Sequence, residues 1–192
     1  MGRSWWNLRY WEIFNEPNSP GFGWFAGRNN AAYTGDELLT AYVYTLAVSN
    51  VTIRAVDPNA VIVLGGLSPD GYPPFDYLKK IYALGAKNCF DVVAFHPYAY
   101  ENKFFQAAAS LRAITTSYGD ASKPIWFNEY GTTDNARRAT VLNEAQQQKT
   151  AVNALFWYTL IDYSNTSDGS WGVVDMNYTK KPEYYLLKTL LQ

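Results

Sequence analysis

Residues Tyr10–Asn18 read YWEIFNEPN, and residues Pro124–Gly131 read PIWFNEYG. Each is a short, largely apolar run that ends in Asn-Glu, with a turn former close behind: Pro17 in the first, Gly131 in the second. Runs of this kind bounded by turn chemistry read as strands, so Asn15-Glu16 and Asn128-Glu129 occupy matching places at strand C-terminal ends. Working outward, Val61–Leu64 (closed by Gly65-Gly66), Asp91–Phe95 (followed by His96-Pro97-Tyr98) and Phe156–Ile161 are further strand candidates. Helices are predicted between them. The first spans about residues 34–57, where Thr34-Gly-Asp-Glu37 has capping-box form and Leu39, Val43, Leu46 and Ile53 recur at helical spacing. Others are expected near 75–86, 103–118, 143–152 and 182–191. Strands alternating with helices predict βα units around a parallel sheet.

Glu16, His96, Glu129 and the 162–172 segment each directly follow a strand. A parallel barrel would bring them to one rim, because its site is built on the loops after the strands. An open doubly wound sheet carries a Gly-rich phosphate-binding turn, and neither GxGxxG nor GxxxxGK[ST] occurs here. A complete (β/α)₈ barrel takes about 250 residues, and the chain has 192. The expectation is therefore an α/β fold, a partial TIM-type (β/α) barrel formed as one truncated domain over residues 1–192.

Composition narrows the function. At 48% hydrophobic and 17% charged residues the chain has the make-up of a globular domain rather than a disordered one. A net charge of -1 without a basic run argues against a nucleic-acid partner. Cys89 is the only cysteine and His96 the only histidine, which excludes an internal disulfide and a His or Cys metal cluster, so no metal or organic cofactor is expected. The longest apolar runs fall well short of about 18 residues, so no membrane association is expected, and MGRSWWNLRYW lacks the apolar region of a signal peptide. Aromatic residues reach 17%, and surplus Trp and Tyr fit flat, stackable surfaces of the kind that hold sugar rings.

Two carboxylates in matching frames fit one chemistry in particular. Cleaving a glycosidic bond takes one carboxylic acid to protonate the leaving oxygen and one carboxylate to attack or to activate water, facing each other across the sugar. Glu16 and Glu129 are the candidates. His96 and Tyr98 follow a strand end and are read as site residues, either holding the carboxylate or a sugar hydroxyl. Trp24 and Trp171 lie in Gly-rich polar loops with little core to join, and stacking on a sugar is at least as good a reading as packing.

On these residues the chain resembles the clan A glycoside hydrolases, retaining enzymes on a (β/α)₈ barrel. The resemblance implies that Glu16, in Asn15-Glu16-Pro17, is the acid/base at the end of strand 4, and that Glu129 is the nucleophile at the end of strand 7. It implies that Asn15 binds the substrate 2-hydroxyl, that His96 and Tyr98 sit at the end of strand 6, and that Trp157 is a sugar platform on strand 8. FNEPN, AFHPY and GVVD…KPEYYLL look most similar to β-xylosidase-type members such as glycoside hydrolase family 39. The function implied is a retaining β-glycosidase acting on plant-type, xylan- or glucan-like polysaccharides or oligosaccharides. The alternative is a non-catalytic carbohydrate-binding or assembly module. On this mapping the chain holds strands 4–8, which leaves apolar strand edges and a sheet face open. A homodimer or larger homo-oligomer is the expected way to cover them.

Overall fold

A computed structural model describes residues 8–19, 35–98, 103–164, 166 and 169–190. Strands and helices alternate along them: β1 (Tyr10–Ile13), α1 (Gly35–Val56), β2 (Val61–Leu64), α2 (Pro74–Ala83), β3 (Val93–Phe95), α3 (Phe104–Ser117), β4 (Ile125–Tyr130), α4 (Arg138–Gln146), β5 (Ala154–Trp157) and α5 (Pro182–Leu190). All strand pairs are parallel. β1 and β2 form one sheet and β3-β4-β5 a second. The two meet along β2 and β3, through parallel bridges at Val63↔Val92 and Leu67↔Phe95 and a hydrogen bond of 2.9 Å from the His96 N–H to the Leu67 carbonyl. The strands thus run in chain order as an arc. Among the described residues β1 and β5 do not pair, so the expected barrel-type order is present without closure into a barrel.

Side chains on a strand alternate between faces, and here each face has its own apolar cluster. Ile13, Ile62, Leu64, Val93, Phe95, Ile125 and Phe127 join the large core under the helices, with Leu39, Leu46, Leu78, Leu111 and Leu142 among their partners. Val63, Val92 and Ala94, with Val61 and Trp126 against them, form a smaller cluster on the opposite face. Burial on both faces explains why 61–64 and 93–95 are wholly apolar.

β4 departs from strict alternation where it matters most. Phe127 pairs with Leu155 and Tyr130 with Trp157, so three steps on β4 span two on β5. That extra residue is a β-bulge. Phe127 and Tyr130 both point into the helix-side core, which leaves Asn128 and Glu129 together between them. In a regular strand the two would face opposite ways.

β1 ends at Ile13 rather than Asn15, β3 begins at Val93 rather than Asp91, β4 runs on to Tyr130, and larger differences fall on α4, β5 and α2. α4 begins five residues earlier than Asn143, because Arg138, Val141, Leu142 and Ala145 make its buried stripe, and the chain turns off after Gln146. β5 begins at Ala154 and leaves the ladder after Trp157 rather than running on to Ile161. α2 stops at Ala83, and Gly85 at φ 82° redirects the chain into a short 3₁₀ turn at Ala86–Cys89.

Phe127 is fully buried, with ring centroids 6.0 Å from Phe95 and 5.9 Å from Phe104. Phe127→Ala is expected to lower the unfolding free energy by about 3–5 kcal/mol. Phe156→Ala, at a side chain 47% exposed on the other face, should cost less than half as much. Urea denaturation of the two variants gives the comparison.

Candidate active site

The chain leaves β1 through two non-glycine residues in the left-handed region, Phe14 at φ 66° and Glu16 at φ 45°. Each such residue costs about 1–2 kcal/mol, so the turn needs outside support. The Glu16 N–H donates to the Gly66 carbonyl at 3.1 Å. The Tyr42 hydroxyl donates to the Ile13 carbonyl and accepts the Gly65 N–H. Buried Asn18 uses its amide nitrogen on the Ser68 and Tyr72 carbonyls and its amide oxygen on the Ser68 N–H, each at 2.8 Å. The two glycines permit this approach. A Cβ on Gly65 would come within 2.5 Å of the Phe14 carbonyl oxygen, and one on Gly66 would overlap the His96 ring.

Glu16 is 6% exposed and His96 fully buried. His96 Nδ1 lies 2.8 Å from Glu16 Oε1 and 3.7 Å from Glu129 Oε2. Sharing one nitrogen places those two oxygens at most about 6.5 Å apart. His96 Nε2 has no hydrogen-bond partner, and a proton on Nδ1 donated to Glu16 accounts for the closer contact. The more accessible Glu129 accepts a hydrogen bond of 2.8 Å from the Tyr98 hydroxyl. Burial, and then the Glu129 charge, push the Tyr98 hydroxyl well above the ordinary phenol range, so it stays a donor.

A third carboxylate sits below this pair. Glu12 Oε1 accepts the Gly66 N–H at 2.9 Å and the Asn128 side-chain amide at 2.8 Å. Loss of water around the group raises the Glu12 carboxyl above the ordinary range, and the two hydrogen bonds only partly offset this.

Three rings wall the other side. Tyr98, Trp171 and Tyr158 stand edge to face, with centroids 5.3 Å (Tyr98–Trp171), 5.9 Å (Tyr158–Trp171) and 6.5 Å (Tyr98–Tyr158) apart. Fully buried Arg138 braces the loop that carries Trp171, donating to the carbonyls of Ser170 and of Gly172, the latter at 2.6 Å. Among the described residues no group of three His, Cys, Asp or Glu could hold a metal ion, and no helix is long and apolar enough to cross a membrane.

The structure gathers Glu16, Glu129, His96, Tyr98 and Trp171 in one place, with Asn15 exposed on the turn beside Glu16. Trp24 lies outside the described residues. Trp157, expected as a sugar platform, packs against the helix-side core, 5.4 Å from the Tyr130 ring, with its Nε1–H donated to the Trp171 carbonyl. Alternation on β5 is the reason: Leu155 and Trp157 share the helix side, and the residue beside Trp171 and Tyr98 is Tyr158. Counting parity back from the apolar Leu155 would have found it. Glu12, Asn18 and Asn128 were also missed, although Glu12 lies two residues before Phe14 in the quoted run.

A family profile described as Cellulase (glycosyl hydrolase family 5) matches residues 7–179. No curated protein matches the chain in sequence. Among solved structures, a monomeric β-xylosidase from Caulobacter crescentus CB15 superposes with a TM-score of 0.70 at 17% identity, covering 94% of this chain and 41% of that one. A family 39 β-xylosidase from Caulobacter crescentus gives 0.70 at 20% identity, with 96% and 42% covered. An exo-β-1,3-glucanase of family 128 from Aureobasidium namibiae gives 0.64 at 14%, with 97% and 68% covered. At these identities the likeness is one of fold. The chain spans about two fifths of the length of the two xylosidases.

The raised Glu12 carboxyl has a signed consequence for stability. The folded state favours its neutral form, so its contribution is most favourable below the ordinary Glu value of about 4.3 and declines as pH rises through the higher folded value. Glu12→Gln keeps an acceptor for both hydrogen bonds and does not titrate. Wild type should therefore lose stability relative to Glu12→Gln as pH rises above the ordinary Glu value of about 4.3 in urea unfolding. A difference that does not change with pH would contradict the assignment.

Proposed function

We propose that this chain, which belongs to the cellulase family, glycosyl hydrolase family 5, hydrolyses β-glycosidic bonds of xylan- or glucan-like carbohydrates with retention of configuration. The observation that carries the reading is the sharing of His96 Nδ1 by Glu16 and Glu129. Retaining enzymes hold their carboxyl groups about 5–5.5 Å apart, and inverting ones leave about 6.5–9.5 Å for a water. The upper bound on the Glu16–Glu129 oxygen distance favours the first.

In this mechanism Glu129, its charge supported by the Tyr98 hydroxyl, attacks the anomeric carbon. The bond to the leaving oxygen breaks as Glu16 delivers its proton there, giving a glycosyl ester on Glu129. Glu16, now ionised, accepts a proton from water as that water attacks the anomeric carbon and frees Glu129. His96 orients Glu16 in both steps. Asn15, exposed beside Glu16, is placed for the sugar 2-hydroxyl, and Trp171 with Tyr158 supplies the aromatic wall. Trp24 keeps its reading as a stacking residue.

Hydrolysis of aryl β-xylosides and β-glucosides should fall by at least about 10⁴-fold in Glu129→Ala, since loss of a nucleophile removes most of the catalytic gain. Azide should restore part of it by attacking the exposed anomeric carbon. Unchanged turnover in the variant would place the chemistry elsewhere, and sugar binding with no turnover in wild type would favour the binding-module reading.

A second copy is the proposed cover for the open side of the arc. Leu8, Tyr10, Trp11, Phe14 and Phe156 are all exposed around β1 and β5, more large apolar surface along strand edges than a soluble chain leaves in water. Light scattering at micromolar concentration should return a dimer or larger species. A stable monomer near 21.7 kDa would refute it.

A further inference from the structure

Glu12 has no part in the chemistry just described, yet it touches both halves of the site. Its Oε1 holds the Gly66 N–H, and the carbonyl of the same Gly66 accepts the Glu16 N–H. That oxygen also holds the amide nitrogen of Asn128, the residue before Glu129 on the β4 bulge. One carboxylate oxygen thus links the turn that carries Glu16 to the bulge that carries Glu129. It also decides which way Asn128 faces. With Nδ2 committed to Glu12, Asn128 Oδ1 lies over Gly66, buried and without a hydrogen-bond partner, beside His96 Nε2, which is in the same condition. A change that moves Gly66 or Asn128 therefore changes the surroundings of the His96 ring.

We propose that Glu12 is a positioning residue: through Gly66 and Asn128 it fixes the separation of Glu16 and Glu129 around His96. The proposal rests on the hydrolase reading for its kinetic consequence but not for its structural one. Hydrogen bonding rather than charge is the working part, so a neutral acceptor of the same shape suffices. Glu12→Gln preserves the arrangement, and Glu12→Ala releases Gly66 and Asn128 together.

Because His96 is the only histidine in the chain, its ring nitrogens give an isolated signal in ¹⁵N-labelled protein. Wild type and Glu12→Gln should share one pattern of His96 ring signals, and Glu12→Ala should shift both those signals and the Asn128 side-chain amide. Where wild type hydrolyses an aryl glycoside, Glu12→Ala should lower kcat by about 10- to 100-fold, as expected of misplaced reacting groups, with KM changed less than about threefold and Glu12→Gln near wild type. A merely structural role would lower the melting temperature and leave the kcat-to-KM split and the ring signals unmoved in the folded fraction. Folded Glu12→Ala with unchanged His96 and Asn128 signals overturns the proposal, whether or not the chain is active. If Glu12→Ala does not fold, Asn128→Ala decides: it should shift the His96 ring signals while the Gly66 amide signal stays in place, and an unmoved His96 overturns the proposal. A wild type that hydrolyses nothing counts against the hydrolase reading alone, and the ring signals still judge Glu12.

Discussion

A buried imidazole shared by two carboxylates is the constraint on which the rest of the site depends. Glu16 arrives from the turn after β1, His96 from the end of β3 and Glu129 from the bulge of β4, and the two carboxylates meet at one ring nitrogen, 2.8 and 3.7 Å from it. Parallel strands make this feasible, since every C-terminal end lies at the same rim. The particular irregularities then follow. Gly66 has no side chain because His96 occupies the space a Cβ would need. β4 carries an extra residue because Asn128 and Glu129 both have to face the site while Phe127 and Tyr130 stay in the core.

Much of the surrounding structure serves to hold unfavourable local states in place. Phe14 and Glu16 adopt left-handed backbone. Neither persists without over-determination by neighbours. Tyr42, Asn18 and Gly66 supply it for the first turn, and Arg138 does the same for the Trp171 loop on the far side. These supports are buried polar groups with several partners each. Removing any one leaves donors or acceptors unsatisfied, a loss of about 1–3 kcal/mol per group, and lets the segment it holds relax.

The alternation of strand and helix was plain in the sequence, because β2 and β3 are buried on both faces and read as unbroken apolar runs. Glu16 and Glu129 were legible for a related reason: each ends a short, largely apolar run in the same Asn-Glu frame. Trp157 was misplaced because aromatic identity was weighed above parity, and a one-residue step along a strand changes the face. The β4 bulge has no signature in composition, so the joint orientation of Asn128 and Glu129 could not be read beforehand. Glu12 and Asn18 escaped notice because their importance lies in partners about fifty or more residues away, Gly66, Ser68 and Asn128. Arg138 was hidden in a helix whose start was placed after it.

The central claim is that Glu129 and Glu16 form a retaining pair, and covalent trapping tests it most directly. The chain, incubated with activated 2-deoxy-2-fluoro xylosides or glucosides, should gain the mass of one fluoro-sugar in intact-mass spectrometry. Peptide mapping should place it on Glu129, and Glu129→Ala should gain none. A label on any other residue, or hydrolysis of the ordinary glycosides with inversion and no trapped sugar, would contradict the account.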